Sequence, residues 1–316
     1  MTSGPPAGQP DGSASASPGD GGASPGDGAA GDSAADDGAA ALPPKHTPRA
    51  GRDLPMAIAV GVGVGAVAVA LLALWRPGFV GLIAVVMATA VWEMRGTLQR
   101  ARGIGVVWAP LVVGVVATVV TAWWWGHAAQ AIGIATTALA IMFYRLAGGA
   151  TGYLADVTAS VFLAVYLGGF GSFATLLVHP ADGFGRMLVF LIAVVCSDTG
   201  GYAVGVLAGR HPMAPRISPK KSWEGMAGSI VAAAAGGAIA MPLLLHGFWW
   251  QGAVLGVVMA LVATAGDLAE SQIKRDLGVK DMGSLVPGHG GVMDRLDSLL
   301  PCAVIAWILF GAFLPV

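Results

Sequence analysis

The chain has 316 residues, of which 55% are hydrophobic and 11% charged, with a formal net charge of −1 and a mean hydropathy of +0.72. Soluble domains carry roughly 25% charged residues, so this composition excludes a soluble globular protein and identifies an integral membrane protein. The two cysteines, Cys196 and Cys302, both lie in apolar stretches. They read as small core residues and give no support to a disulfide framework or a zinc site.

Residues 1–54 differ from the rest of the chain. They are rich in Gly, Ala, Ser, Pro and Asp, and ASPGDG occurs at 16–21 and again at 23–28. Such a segment cannot bury enough apolar surface to offset its ordering entropy, so it is expected to be a disordered tail. Its first residues are neither basic nor apolar, which excludes a signal peptide.

From Met56 onward apolar segments recur, and a crossing of about 30 Å needs about 20 such residues. The candidates are 56–74, 78–93, 104–123, 128–145, 154–178, 186–208, 226–245, 248–270 and 296–315. The expectation is an all-α polytopic membrane protein with about nine spans. The span 154–178 is interrupted by Gly168, Gly169 and Gly171, which predicts a bend or split. Placing the N-terminus inside collects 15 of the 17 basic residues on the inner face and leaves only Arg76 and Arg186 outside. Trp123, Trp124 and Trp125, with Trp249 and Trp250, fit an outer aromatic belt. Three regions result: the tail at 1–54, helices at 55–185, and a C-terminal membrane region at 186–316.

The acidic residues are concentrated in that last region. Of 18 in the chain, 7 lie in the tail; 8 of the other 11 lie between Asp198 and Asp297. Ionisable groups at a bilayer are costly, which makes them candidates for function. Asp267, Glu270, Ser271 and Lys274 are spaced i, i+3, i+4, i+7 and share a helical face. Asp294 and Asp297 share another, although an acid at a helix N-terminus is also favoured by the dipole alone. Two acidic pairs on different helices suit a hard cation such as Mg²⁺, which takes carboxylates together with substrate phosphates. PGHGG at 287–291 surrounds His289 with glycines, whose amides can approach a phosphate closely. Lys220, Lys221, Lys274, Arg275, Lys280 and Arg295 fall on the inner face. They suit phosphate recognition as well as topology and anionic lipid contact. Asp198, inside CSDTGGY, is an intramembrane carboxylate. Glu93 reads as interfacial. Gly61 and Gly65 suit close helix packing.

These residues carry a resemblance. Ser271-x-x-Lys274-Arg275, then Lys280-Asp281, then His289-Gly290-Gly291-x-x-Asp294-Arg295-x-Asp297 resembles the signature of phosphatidate cytidylyltransferases, the CDP-diacylglycerol synthases. The likeness extends to Gly266-Asp267-Leu268-x-Glu270, to Ser218-Pro219-Lys220-Lys221-Ser222-Trp223-Glu224-Gly225, and to Asp198-Thr199-Gly200-x-Tyr202. Ser222 stands where threonine is common and keeps the hydroxyl. The resemblance covers roughly 186–300; the earlier spans match only as apolar helices.

It implies that CTP and phosphatidic acid give CDP-diacylglycerol and pyrophosphate with Mg²⁺, in a dimeric membrane enzyme whose site faces the cytoplasm; separately, 12 Arg to 5 Lys with abundant Ala and Gly suggest a bacterial cell membrane. Asp267 and Asp294 are then the expected metal ligands, with Asp281 and Asp297 supporting them or sharing a second cation. Lys220, Lys221, Lys274, Arg275 and Arg295 would hold phosphates. Asp198, Ser218, Ser271, Lys280, Gly290 and Gly291 would line the substrate site, and His289 would close over the nucleotide. No nucleic-acid partner is expected. Two other readings stay open at this point: a CTP-dependent lipid-alcohol kinase releasing CDP, and a cation-coupled transporter using Asp198 and Asp267.

Overall fold

A computed structural model describes residues 54–283 and 291–314, with side chains from residue 61 onward. The architecture is helical: α1 (Leu54–Leu74), α2 (Arg76–Arg102), α3 (Trp108–Leu146), α4 (Tyr153–Leu163), a π-helical turn (Ala164–Gly169), α5 (Phe170–Val178), α6 (Gly183–Ala208), α7 (Trp223–Leu245), α8 (Trp249–Leu277) and α9 (Met293–Phe313). Among the described residues, seven helical segments are long and apolar enough to cross a membrane: α2, α3, the α4–α5 unit, α6, α7, α8 and α9. In α1, Gly61–Leu74 forms a shorter apolar stretch.

The 39-residue α3 would be about 58 Å long if straight, roughly twice a hydrocarbon core. It is not straight. Gly126 has φ 58° and ψ −139°, outside helical space. A Cβ on Gly114 would meet Thr137, and one on Gly133 would meet Thr118. The positions before and after Gly126 therefore pair in antiparallel order, so α3 is a helical hairpin turned on a glycine. Segment 154–178 runs as one helical span, Tyr153–Val178, with a π-helical turn at Ala164–Gly169 covering the first two of its three glycines.

The C-terminal half packs through small residues. A Cβ on Gly200 would collide with Ala232 and with the backbone of Gly228, and Gly237 and Gly252 face each other across α7 and α8 with no room for a side chain. Small residues of this kind let membrane helices gain dispersion contacts and interhelical hydrogen bonds where hydrophobic burial offers little. Gly266 plays the same part between α8 and α9, where its missing side chain leaves space for the Asp297 carbonyl.

The loop between α6 and α7 holds a feature that an all-helical reading lacks. β1 (Pro212–Ala214) and β2 (Ser218–Ser222) pair antiparallel, with Pro212 opposite Ser222 and Ala214 opposite Ser218. A two-stranded hairpin is marginal alone, and here it is tied at both ends. Glu224 Oε2 accepts the N–H groups of Arg210 and His211, and Arg275 Nε donates to Ile217 O at 3.3 Å. Ser222 caps α7 by accepting the Gly225 N–H at 3.1 Å, so its hydroxyl has a structural use.

Candidate active site

Four helices and the hairpin enclose a cavity of about 510 Å³. This is within the usual range for small-molecule sites. α6 supplies Asp198, β2 supplies Lys220 and Lys221, α8 supplies Asp267 and Lys274, and α9 supplies Asp294, Arg295 and Asp297. Residues spread over 100 positions are thus brought around one cavity. Two packing facts do this: the close crossing at Gly266 sets α9 against α8, and the hairpin folds β2 over the cavity.

The charges form a connected set. Lys221 Nζ lies 2.5 Å from Asp267 Oδ2. Lys274 pairs with Glu270 on its own helix and lies 2.7 Å from Asp294 Oδ1 across the α8–α9 interface. Asp294 also accepts the Gly291 N–H at 2.8 Å and the Met282 N–H at 3.2 Å. One oxygen from each of Asp267, Glu270 and Asp297 lies within 4.8 Å of the other two. Glu270 is 1% exposed and Asp297 7% exposed. Buried carboxylates this close repel one another unless a cation or proton intervenes. An all-oxygen set of this size therefore fits a hard divalent cation.

The expected site residues are distributed unevenly. Asp198, Lys220, Lys221, Asp267, Lys274, Asp294, Arg295 and Asp297 line the cavity. Among the expected metal ligands, Asp267 joins the three-carboxylate group, while Asp294 serves Lys274 and two backbone amides. Glu270, not among the expected metal ligands, joins Asp267 and Asp297 in that group. Ser271 donates to Asp267 Oδ1 at 3.5 Å from outside the cavity lining. Ser218 opens β2, Arg275 braces the hairpin turn, and Gly291 feeds its amide to Asp294. Lys280 and Asp281 are exposed and do not line the cavity. His289 and Gly290 lie outside the described residues.

Two regions contribute unexpectedly. Glu93, read as interfacial, is 6% exposed, and its Oε2 accepts the Met293 N–H at 3.0 Å. Tyr166, on the π-helical turn, donates its hydroxyl to Asp297 O at 3.4 Å. For Glu93 the available signal was a lone acid in an apolar helix; for Tyr166 there was only the glycine-rich break after it.

Residues 56–313 match the model of the cytidylyltransferase family. The chain belongs to the cytidylyltransferase family. It is 45% identical over 285 residues to the phosphatidate cytidylyltransferase of Mycobacterium bovis, covering 86% of this chain and 93% of the relative. It is likewise 45% identical over 281 residues to that of Mycobacterium leprae, covering 84% and 90%. A Brucella suis phosphatidate cytidylyltransferase shares 42% identity over 150 residues, 47% of this chain and 55% of the relative. As a cytidylyltransferase, the chain is a nucleotidyltransferase enzyme of the membrane.

Proposed function

We propose that this chain transfers the cytidylyl group of CTP to phosphatidic acid, giving CDP-diacylglycerol and pyrophosphate. The observation that carries the reading is the near full-length 45% identity to phosphatidate cytidylyltransferases, on a chain whose cavity joins carboxylates to phosphate-binding bases. In the reaction, a phosphate oxygen of phosphatidic acid attacks the α-phosphorus of CTP. The bond from that phosphorus to the bridging oxygen breaks, and the electron pair leaves with pyrophosphate.

Both reactants are anionic, so catalysis consists chiefly of positioning and charge neutralisation. Lys220, Lys221 and Arg295 flank the cavity from two sides and bind phosphate oxygens. Lys274 orients Asp294 and Glu270. No general base is required, because the attacking phosphate is already ionised. The Asp267, Glu270 and Asp297 carboxylates are the set that would hold Mg²⁺, with Asp294 beside them through Lys274. The ion, when bound, supplies charge stabilisation to phosphate oxygens.

The same proposal extends to topology. Counting α1 and the two arms of α3 separately gives nine crossings. With the N-terminus inside, the 15 basic residues and the cavity share the cytoplasmic side. Residues 186–316 then form the catalytic region, in a homodimer in a bacterial cell membrane, while the expected tail, up to residue 53, lies outside the described residues.

The test is product analysis with purified protein, phosphatidic acid, Mg²⁺ and α-labelled CTP beside Asp297→Asn. Label is expected in a lipid with equimolar pyrophosphate, and both are expected to fall at least about 100-fold in the variant. Transfer of label from γ-labelled CTP to a lipid, with CDP released, would instead make the chain a kinase.

A further inference from the structure

α2 lies outside the region that carries the motifs, yet it grips the chain on both sides of residues 284–290. On the near side, Thr97 Oγ1 donates to Met282 O at 2.5 Å. On the far side, Glu93 Oε2 accepts from Met293 N at 3.0 Å. The two residues are four apart, so they share one face of α2 one turn from each other. Gly283 and Gly291 close against the Glu93 carboxylate, where a Cβ on either would collide with it. Glu93 and Thr97 are 6% and 3% exposed.

The opposite side of the same chain segments is held by the site itself. Asp294 accepts Met282 N and Gly291 N, and Asp294 in turn pairs with Lys274. Met282 is therefore bonded through its carbonyl to α2 and through its amide to α9. The first turn of α9 is pinned through Met293 N, one residue before Asp294 and four before Asp297. Neither Glu93 nor Thr97 lines the cavity. A buried carboxylate that only filled space would carry a desolvation cost with no return. Here it satisfies an orphan amide at a helix start, where the dipole also favours negative charge.

We infer that Glu93 and Thr97 are positioning residues for cytidylyl transfer, fixing the start of α9 so that Asp294 and Asp297 face Lys274, Glu270 and Asp267. The inference rests on the functional reading above. It assigns a reaction role to the N-terminal half, acting on the geometry of the acids and leaving nucleotide contact to the cavity.

Thr97→Val and Thr97→Ser are the discriminating pair, because valine keeps the shape and loses the donor while serine keeps the donor. Full-length protein in detergent is assayed with α-labelled CTP and phosphatidic acid, with rates normalised to folded protein from thermal melts. Thr97→Val is expected to lower kcat about tenfold, the scale of partners that orient ligands from behind, with KM for CTP within about twofold. Thr97→Ser is expected to restore kcat. Glu93→Ala is expected to lose more than Thr97→Val, and Glu93→Gln, which keeps one acceptor, to fall between. Binding of Mn²⁺, followed by electron paramagnetic resonance without CTP or lipid, is expected to weaken in parallel.

A merely structural role would lower the melting temperature and folded yield while leaving kcat per folded molecule and Mn²⁺ affinity unchanged, and that result overturns the inference. So does a Thr97→Val enzyme with wild-type kcat. If wild-type protein labels no lipid, the functional reading fails first, and this inference fails with it.

Discussion

Lys274 holds the two helices of the site together at a single atom. Its ammonium pairs with Glu270, buried on the same helix, and with Asp294 on α9. Removing one member of a buried ion pair leaves the others uncompensated, which is where such pairs matter most. Lys274→Met is therefore expected to destabilise the protein by about 3 kcal/mol, the lower end of the range, because the group retains some exposure. A thermal melt followed by tryptophan fluorescence checks this. Adding Glu270→Gln is expected to recover most of the lost stability, because it removes one unpaired charge, while lipid labelling stays abolished. Recovery of both would mean that Lys274 serves stability alone. The case of Ser222 is milder: its hydroxyl caps α7, a use that threonine would serve equally.

At the scale of elements, α3 depends on one backbone conformation. Gly126 sits at φ 58° and ψ −139°, a region that L-residues with a side chain avoid. Nothing lies within 4 Å of where a Cβ would be, so the cost of a substitution there is backbone strain alone. Gly126→Ala is expected to lower stability by about 1–3 kcal/mol, seen as a lower melting temperature, with KM for CTP unchanged because Gly126 lies outside the cavity lining. A variant with wild-type melting would mean that the two arms hold the turn without the glycine. The π-helical turn Ala164–Gly169 acts differently: its extra residue re-aims the chain and presents Tyr166 to the Asp297 carbonyl. The β-hairpin has a third role, laying Lys220 and Lys221 over the cavity from a loop bound at both ends.

Across the whole molecule, what could be read from the sequence follows from how far apart the cooperating residues lie. The apolar runs announce helices because each is a local pattern, and the charged stretch from Ser271 to Asp297 announces a site because it breaks that pattern. The grouping of Asp267 with Glu270 rests on helical spacing and is legible, as is the pairing of Lys274 with Glu270. The addition of Asp297 to that group depends on how α9 crosses α8, which spacing within either helix does not state. Glu93 and Thr97 act on residues 185 or more positions away, so a lone acid in an apolar helix marks Glu93 but no local pattern states its partner or that of Thr97. Lys280 and Asp281 belong to the motif and yet are exposed; motif membership alone did not give their placement. The crossing at Gly266 has a consequence for ion choice. Because the carboxylates stand on two helices pressed together at a residue without a side chain, the spacing between the helices would act as a gauge of ionic radius for a cation held there. Mg²⁺ binds oxygen at about 2.0–2.1 Å and Ca²⁺ at about 2.3–2.6 Å. One methyl at Gly266→Ala would hold the helices apart, and the enzyme is expected to lose Mg²⁺-supported labelling more than labelling supported by the larger Mn²⁺ or Ca²⁺. An unchanged order of metals would show that the side chains re-space themselves, and that the gauge lies in their flexibility and not in the backbone.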